Sequence, residues 1–76
     1  MRSPILMPDV GDEAPALNLW YAQPGEHVYA GDRVAELLLE GATFDVCAPV
    51  DGRLVAKIAR PGQHVAPGQV LGWIES

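Results

Sequence analysis

The sequence predicts an all-β fold, a flattened barrel or sandwich of two pseudosymmetric four-stranded halves, in a single domain spanning residues 1–76. Three observations carry this expectation. The segment Ala22-Gln-Pro-Gly-Glu-His-Val-Tyr-Ala-Gly31 recurs as Ala59-Arg-Pro-Gly-Gln-His-Val-Ala-Pro-Gly68, matching at six of ten positions with an offset of 37. Short apolar runs alternate with Gly, Pro and Asp punctuation along the chain, which is the signature of strands and tight turns. No window long enough for a helix keeps an apolar period of 3.6 residues without a breaker.

The elements follow in chain order. Ile5–Met7 is a short apolar strand before the Val10-Gly11 turn, and Ala16–Ala22 is a longer one ending at Pro24-Gly25. His27–Tyr29 fits between that turn and Ala30-Gly31-Asp32. Val34–Leu39 and Thr43–Ala48 form a hairpin across Glu40-Gly41, where glycine lowers the cost of a positive φ. Asp51-Gly52 introduces Arg53–Ala59, Pro61-Gly62 and Pro67-Gly68 bracket His64–Ala66, and Leu71–Glu75 closes the fold. Each copy of the repeat lies between two apolar strands. Two copies are too few for a solenoid. Pairing the halves covers the apolar face that each would otherwise leave open.

Alternation assigns faces. Phe44 and Val46 point one way, Thr43 and Asp45 the other. Ala35, Leu37 and Leu39 share a face opposite Val34, Glu36 and Leu38.

Composition narrows the function. Five basic residues against ten acidic ones leave a net charge of −5. Nucleic-acid phosphates need a basic face, and anionic lipid surfaces disfavour an acidic protein, so neither is an expected partner. A chain this short buries only about 60–65% of its unfolded surface, so the core is thin. The single cysteine, Cys47, cannot form an internal disulfide. No apolar run approaches the roughly 20 residues of a membrane span. The N-terminus lacks the apolar run of a signal peptide, so a cytoplasmic location is expected.

The order and spacing of several pieces resemble lipoyl domains, the carrier modules of 2-oxo acid dehydrogenase complexes, which are similar to biotinyl carrier domains. These pieces are Met7-Pro-Asp-Val-Gly11, Trp20, the turns Pro24-Gly25 and Gly31-Asp32, Pro49-Val-Asp-Gly52, and Val65 through Glu75. In the family a hairpin lysine carries lipoate or biotin. The resemblance puts Gly41 at that lysine's position and Leu38 at the glutamate that the lipoylating enzyme reads. It therefore implies a degenerate, non-catalytic carrier-type domain with no covalent cofactor, folding as a monomer without metal, lipoate or biotin. Such a domain would serve as a protein-docking module for a component of a 2-oxo acid dehydrogenase complex. The docking surface expected from the resemblance comprises Leu38, Glu40 and Gly41 on the hairpin, with Asp12 and Glu13 in the loop beside it. That loop is about two residues shorter than is usual in the family. The hairpin is also expected to accept lysine at position 41. The alternative reading is a genuine lipoyl or biotinyl carrier with its arm on Lys57, the chain's only lysine.

Other constellations point to structure rather than chemistry. His27 and His64 occupy matching places in the repeat, which separates them, and neither has a Cys/His cluster nearby in sequence. Cys47 lacks a visible base partner and is expected to be buried or half-buried. Glu36, Glu40 and Asp45 lie near one hairpin, but acid/base catalysis needs a pocket that a filled barrel of this size does not supply. They are read as a solvated acidic face.

Overall fold

The computed structural model describes residues 1–11 and 14–76. Among these residues seven strands are present: β1 Arg2–Leu6, β2 Ala16–Trp20, β3 His27–Val28, β4 Arg33–Leu39, β5 Ala42–Cys47, β6 Gly52–Lys57 and β7 Val70–Glu75. They form two antiparallel sheets, one ordered β1-β7-β6-β3 and the other β2-β4-β5. The molecule is elongated, with extents of 33 × 19 × 19 Å.

The expected eighth strand, His64–Ala66, is reduced to one bridge from His64 to Ala16. The backbone polar groups explain why. The Val65 N–H donates to Pro15 O, the Ala66 N–H is taken by the Gln69 side chain, and Pro67 has no N–H. β1 begins three residues earlier than expected because it pairs with β7 from Arg2↔Glu75 onward. Pro4 is tolerated there because β1 is an edge strand.

The repeat is written into the hydrogen bonds. Gly25 N donates to Leu54 O at 2.8 Å, and Gly62 N donates to Leu17 O at 2.7 Å. Gln23 N is held by the Glu26 side chain, and Arg60 N by the Gln63 side chain, each at 3.0 Å. Each half thus ties its turn to a strand of the other half. β3 pairs with β6 through His27↔Arg53, and the equivalent bridge is His64↔Ala16.

Two bulges alter the expected faces. The β4–β5 register passes from Arg33↔Cys47 to Ala35↔Val46, leaving Val34 as an extra residue. Alternation sets Val34 on the face opposite Ala35, but both are fully buried. An extra residue in one strand breaks the two-residue alternation, so neighbours can both point inward. The β1–β7 register skips Leu71 in the same way, 37 positions later, and Leu71 is also fully buried.

The core is apolar, and no polar or charged residue is buried in it among the described residues. Leu17, Trp20, Leu37, Leu54, Leu71 and Ile74 are among its members. Trp20 satisfies its indole N–H on Ala59 O at 2.9 Å. Two glycines are fixed by close approach. A Cβ on Gly72 would lie 2.6 Å from Ala56 O and 3.0 Å from the Trp20 ring. A Cβ on Gly52 would collide with Glu75 O and with Ile74.

Candidate functional site

The β4–β5 hairpin closes at one end of its sheet. Leu39↔Ala42 is its last pair, so Glu40 and Gly41 form a two-residue turn. Gly41 has φ +74, and no other residue type in the described chain has a positive φ. A turn with positive φ only at its second central residue calls for glycine there. A Cβ on Gly41 would meet nothing within 4 Å, so space is not the constraint. The expectation that this turn accepts lysine is therefore corrected. A lysine must adopt a left-handed conformation costing about 1–2 kcal/mol, or reshape the turn.

Leu38 is 49% exposed, on the outward face and opposite Thr43. Leu39, on the other face, packs against the core as a partly buried side chain. Glu40 is exposed at the turn. Phe44 pairs with Leu37 across the hairpin yet remains 43% exposed, because β5 is the edge of its sheet. Asp12 and Glu13 lie outside the described residues.

Below Leu38 the outer face of the sheet carries a polar network. The Tyr21 hydroxyl donates to Glu36 at 2.7 Å and lies 3.4 Å from Asp45 Oδ1. Asn18 Nδ2 donates to the other Glu36 oxygen at 2.9 Å. Arg33 approaches Asp45 at 3.6 Å and lies over the Tyr21 ring, 4.7 Å from its centroid. The hydrogen bond to Glu36 is the main reason the Tyr21 phenol is pushed up to about 12. The same bond, followed by that from Asn18, holds the Glu36 carboxyl below its usual value. Near neutral pH the phenol keeps its proton and the carboxylate stays charged. Neither is poised to exchange a proton with a substrate.

The structure brings Glu36 and Asp45 together on adjacent strands, and leaves Glu40 at the turn. His27 and His64 fall on different sheets. His27 packs edge-on against Tyr29, and His64 Nδ1 lies 3.2 Å from Ala14 O. No group of three or more His, Cys, Asp or Glu among the described residues could hold a metal ion. Cys47 is exposed, correcting its expected burial. It lies on β5 at two-residue spacing from Thr43 and Asp45, which places it on the same face as these two residues. Lys57 ends β6, in the other sheet from the hairpin, and its Nζ donates to Gln23 Oε1 at 2.7 Å. The sequence reading missed Asn18, Tyr21 and Arg33 as members of the outer network. Asn18 is itself a bulge, since the β2–β4 register passes from Leu17↔Leu37 to Leu19↔Glu36.

The fold and the sequence have counterparts among known proteins. The biotin/lipoyl family model, described as "Biotin-requiring enzyme", matches residues 3–74. The sequence is 36% identical over 69 residues to the lipoamide acyltransferase component of the branched-chain alpha-keto acid dehydrogenase complex of Pseudomonas aeruginosa. That alignment covers 88% of this chain and 16% of the relative. The same component from Pseudomonas putida is 32% identical over 73 residues, covering 93% of this chain and 17% of the relative. The chain thus spans about a sixth of the length of these curated relatives. The solution structure of the lipoyl domain of the 2-oxoglutarate dehydrogenase complex from Azotobacter vinelandii superposes with a TM-score of 0.72 at 20% identity. The match covers 95% of this chain and 96% of that one, and it establishes the fold.

Proposed function

Because the chain belongs to the biotin/lipoyl domain family, we propose that it is a degenerate carrier-type domain, docking to a protein partner without a covalent cofactor. One observation carries this reading: the hairpin tip holds no amine. Gly41 occupies the turn at φ +74, and the only lysine, Lys57, sits on β6 against Gln23. An amide to lipoate or biotin needs a primary amine that reaches the modifying enzyme, and the tip offers a carboxylate and backbone but no amine. The exposed Leu38 supports docking, since an apolar side chain beside an exposed turn is available to a partner. The named relatives are components of dehydrogenase complexes, which supports a partner of that class.

The test is the intact mass of the protein from its native source, then after incubation with lipoate ligase, ATP and lipoate. The unaltered chain should stay at its unmodified mass in both. Modification at Lys57 or the N-terminus would replace this reading with that of a genuine carrier. The double variant Leu38→Glu with Gly41→Lys should be lipoylated far better than Gly41→Lys alone. If the folded double variant is not lipoylated, the hairpin has diverged in shape as well as in side chains.

A further inference from the structure

The outer face of the four-stranded sheet carries a shallow groove of about 400 Å³ beside the edge strand β3. His27, Arg53, Val55 and Glu75 line it. The 37-residue offset relates these to His64, Ala16, Asn18 and Leu38, so the groove is the internal counterpart of the surface around Leu38. The chemistry differs between the two places. Val55 is the bulged residue of β6, as Asn18 is of β2, but it offers an aliphatic side chain where Asn18 binds a carboxylate.

The charges of the groove are unevenly satisfied. Glu75 is taken by Arg2 at 3.2 Å, although Arg53 is its neighbour across the strands. Asp51 Oδ1, also in the groove wall, accepts the Ala30 N–H at 2.7 Å. Arg53 makes a single bond, from Nη1 to Gly25 O at 2.8 Å, and has no carboxylate partner among the described residues. A guanidinium carries five N–H donors, so most of its capacity is open. Asp51 and Glu75 share the groove wall but are both engaged, so Arg53 is the charged group there with donor capacity left for an anionic side chain. The adjacent β3 is a two-residue edge strand, and an edge offers unpaired backbone to an extended chain.

We propose that this groove docks an extended peptide segment of a partner protein, with a carboxylate side chain on Arg53 and an aliphatic side chain over Val55. The inference is independent of the hairpin reading, because it uses no residue of the β4–β5 turn. It is tested on the isotope-labelled chain by backbone amide shifts during titration with acetyl-Leu-Glu-Leu-amide. The shifts should be confined to His27, Val28, Gly52, Arg53 and Val55. Acetyl-Leu-Gln-Leu-amide should bind at least tenfold more weakly, and Arg53→Gln should abolish the difference between the two peptides. Equal binding of the two peptides to the unaltered chain would overturn the proposal, whatever the variant does. So would shifts centred on Leu38–Ala42, no shifts at millimolar peptide, or the same shifts with N-acetylglycine, which would make the groove a small-carboxylate site.

Discussion

Asn18, Tyr21, Glu36 and Leu38 stand 37 positions before Val55, Ile58, Trp73 and Glu75. The first set lies on the outer face of the three-stranded sheet, where three of its members are joined by hydrogen bonds and Leu38 stands exposed beside them. In the second set the carboxylate has moved to the position of the leucine, and aliphatic and aromatic side chains fill the other three. The backbone repeats its bulges in both halves, at Asn18 and Val55 and again at Val34 and Leu71. Backbone geometry is thus held in common by turns and ladders, and the outward side chains were free to differ. A face that packs on nothing constrains its residues weakly, so the outward side chains of the two halves diverge.

Trp20 and Lys57 are the sharpest contrast between the halves, at equivalent positions. Trp20→Ala should lose about 3–5 kcal/mol, since it empties a core site and orphans Ala59 O. Lys57→Ala should stay within about 0.5 kcal/mol, being exposed. Urea unfolding midpoints measure both, and comparable losses would break the comparison.

Gly72 and Ala35 are also equivalent, and Ala35 is fully buried without difficulty. Gly72→Ala should nevertheless cost about 1–3 kcal/mol, because the Trp20 ring and Ala56 O occupy the space that Ala35 finds open in its own half. A neutral Gly72→Ala in thermal unfolding would mean that the halves pack alike.

At the hairpin end, Gly41→Lys should cost about 1–2 kcal/mol through its left-handed φ alone. Gly41→Asn should recover part of that loss, since asparagine tolerates this region better. If lysine costs nothing in the same denaturant series, the turn interconverts freely with another type.

Leu38→Glu should change stability by no more than about 0.5 kcal/mol, as an exposed substitution. It should weaken binding of a partner that docks on the hairpin end and leave binding in the Arg53 groove unaltered. Unfolding of this variant would show that Leu38 is packed rather than presented.

The smallest effect is a titration. Tyr21 has a folded-state value raised from 10.0 to about 12, so its contribution to stability is complete below pH 10 and is lost as pH rises toward 12. Glu36 works in the opposite direction: its lowered value gives stability present above its ordinary range and lost as pH falls through the folded value. Phenolate absorbance should show Tyr21 titrating near pH 12, and Glu36→Gln should bring it back toward 10. An unchanged Tyr21 in that variant would remove the network as the cause.

The sequence by itself determined the repeat, the turns and the composition of the hairpin tip. Turn chemistry is local: Pro24-Gly25 and Pro61-Gly62 punctuate whatever sheet they join, and Gly41 brings no amine in any packing. The strands around Leu37, Leu54 and Ile74 were legible because apolar side chains must be covered. Only the tertiary structure decided the bulges, because an extra residue is defined by the strand opposite. Val34 therefore turned inward against its alternation, and His64 kept a single bridge where a strand was expected. It also decided the charge pairing. Arg2 reaches Glu75 across the β1–β7 ladder and leaves Arg53 open, a competition between residues 51 positions apart that no local spacing encodes.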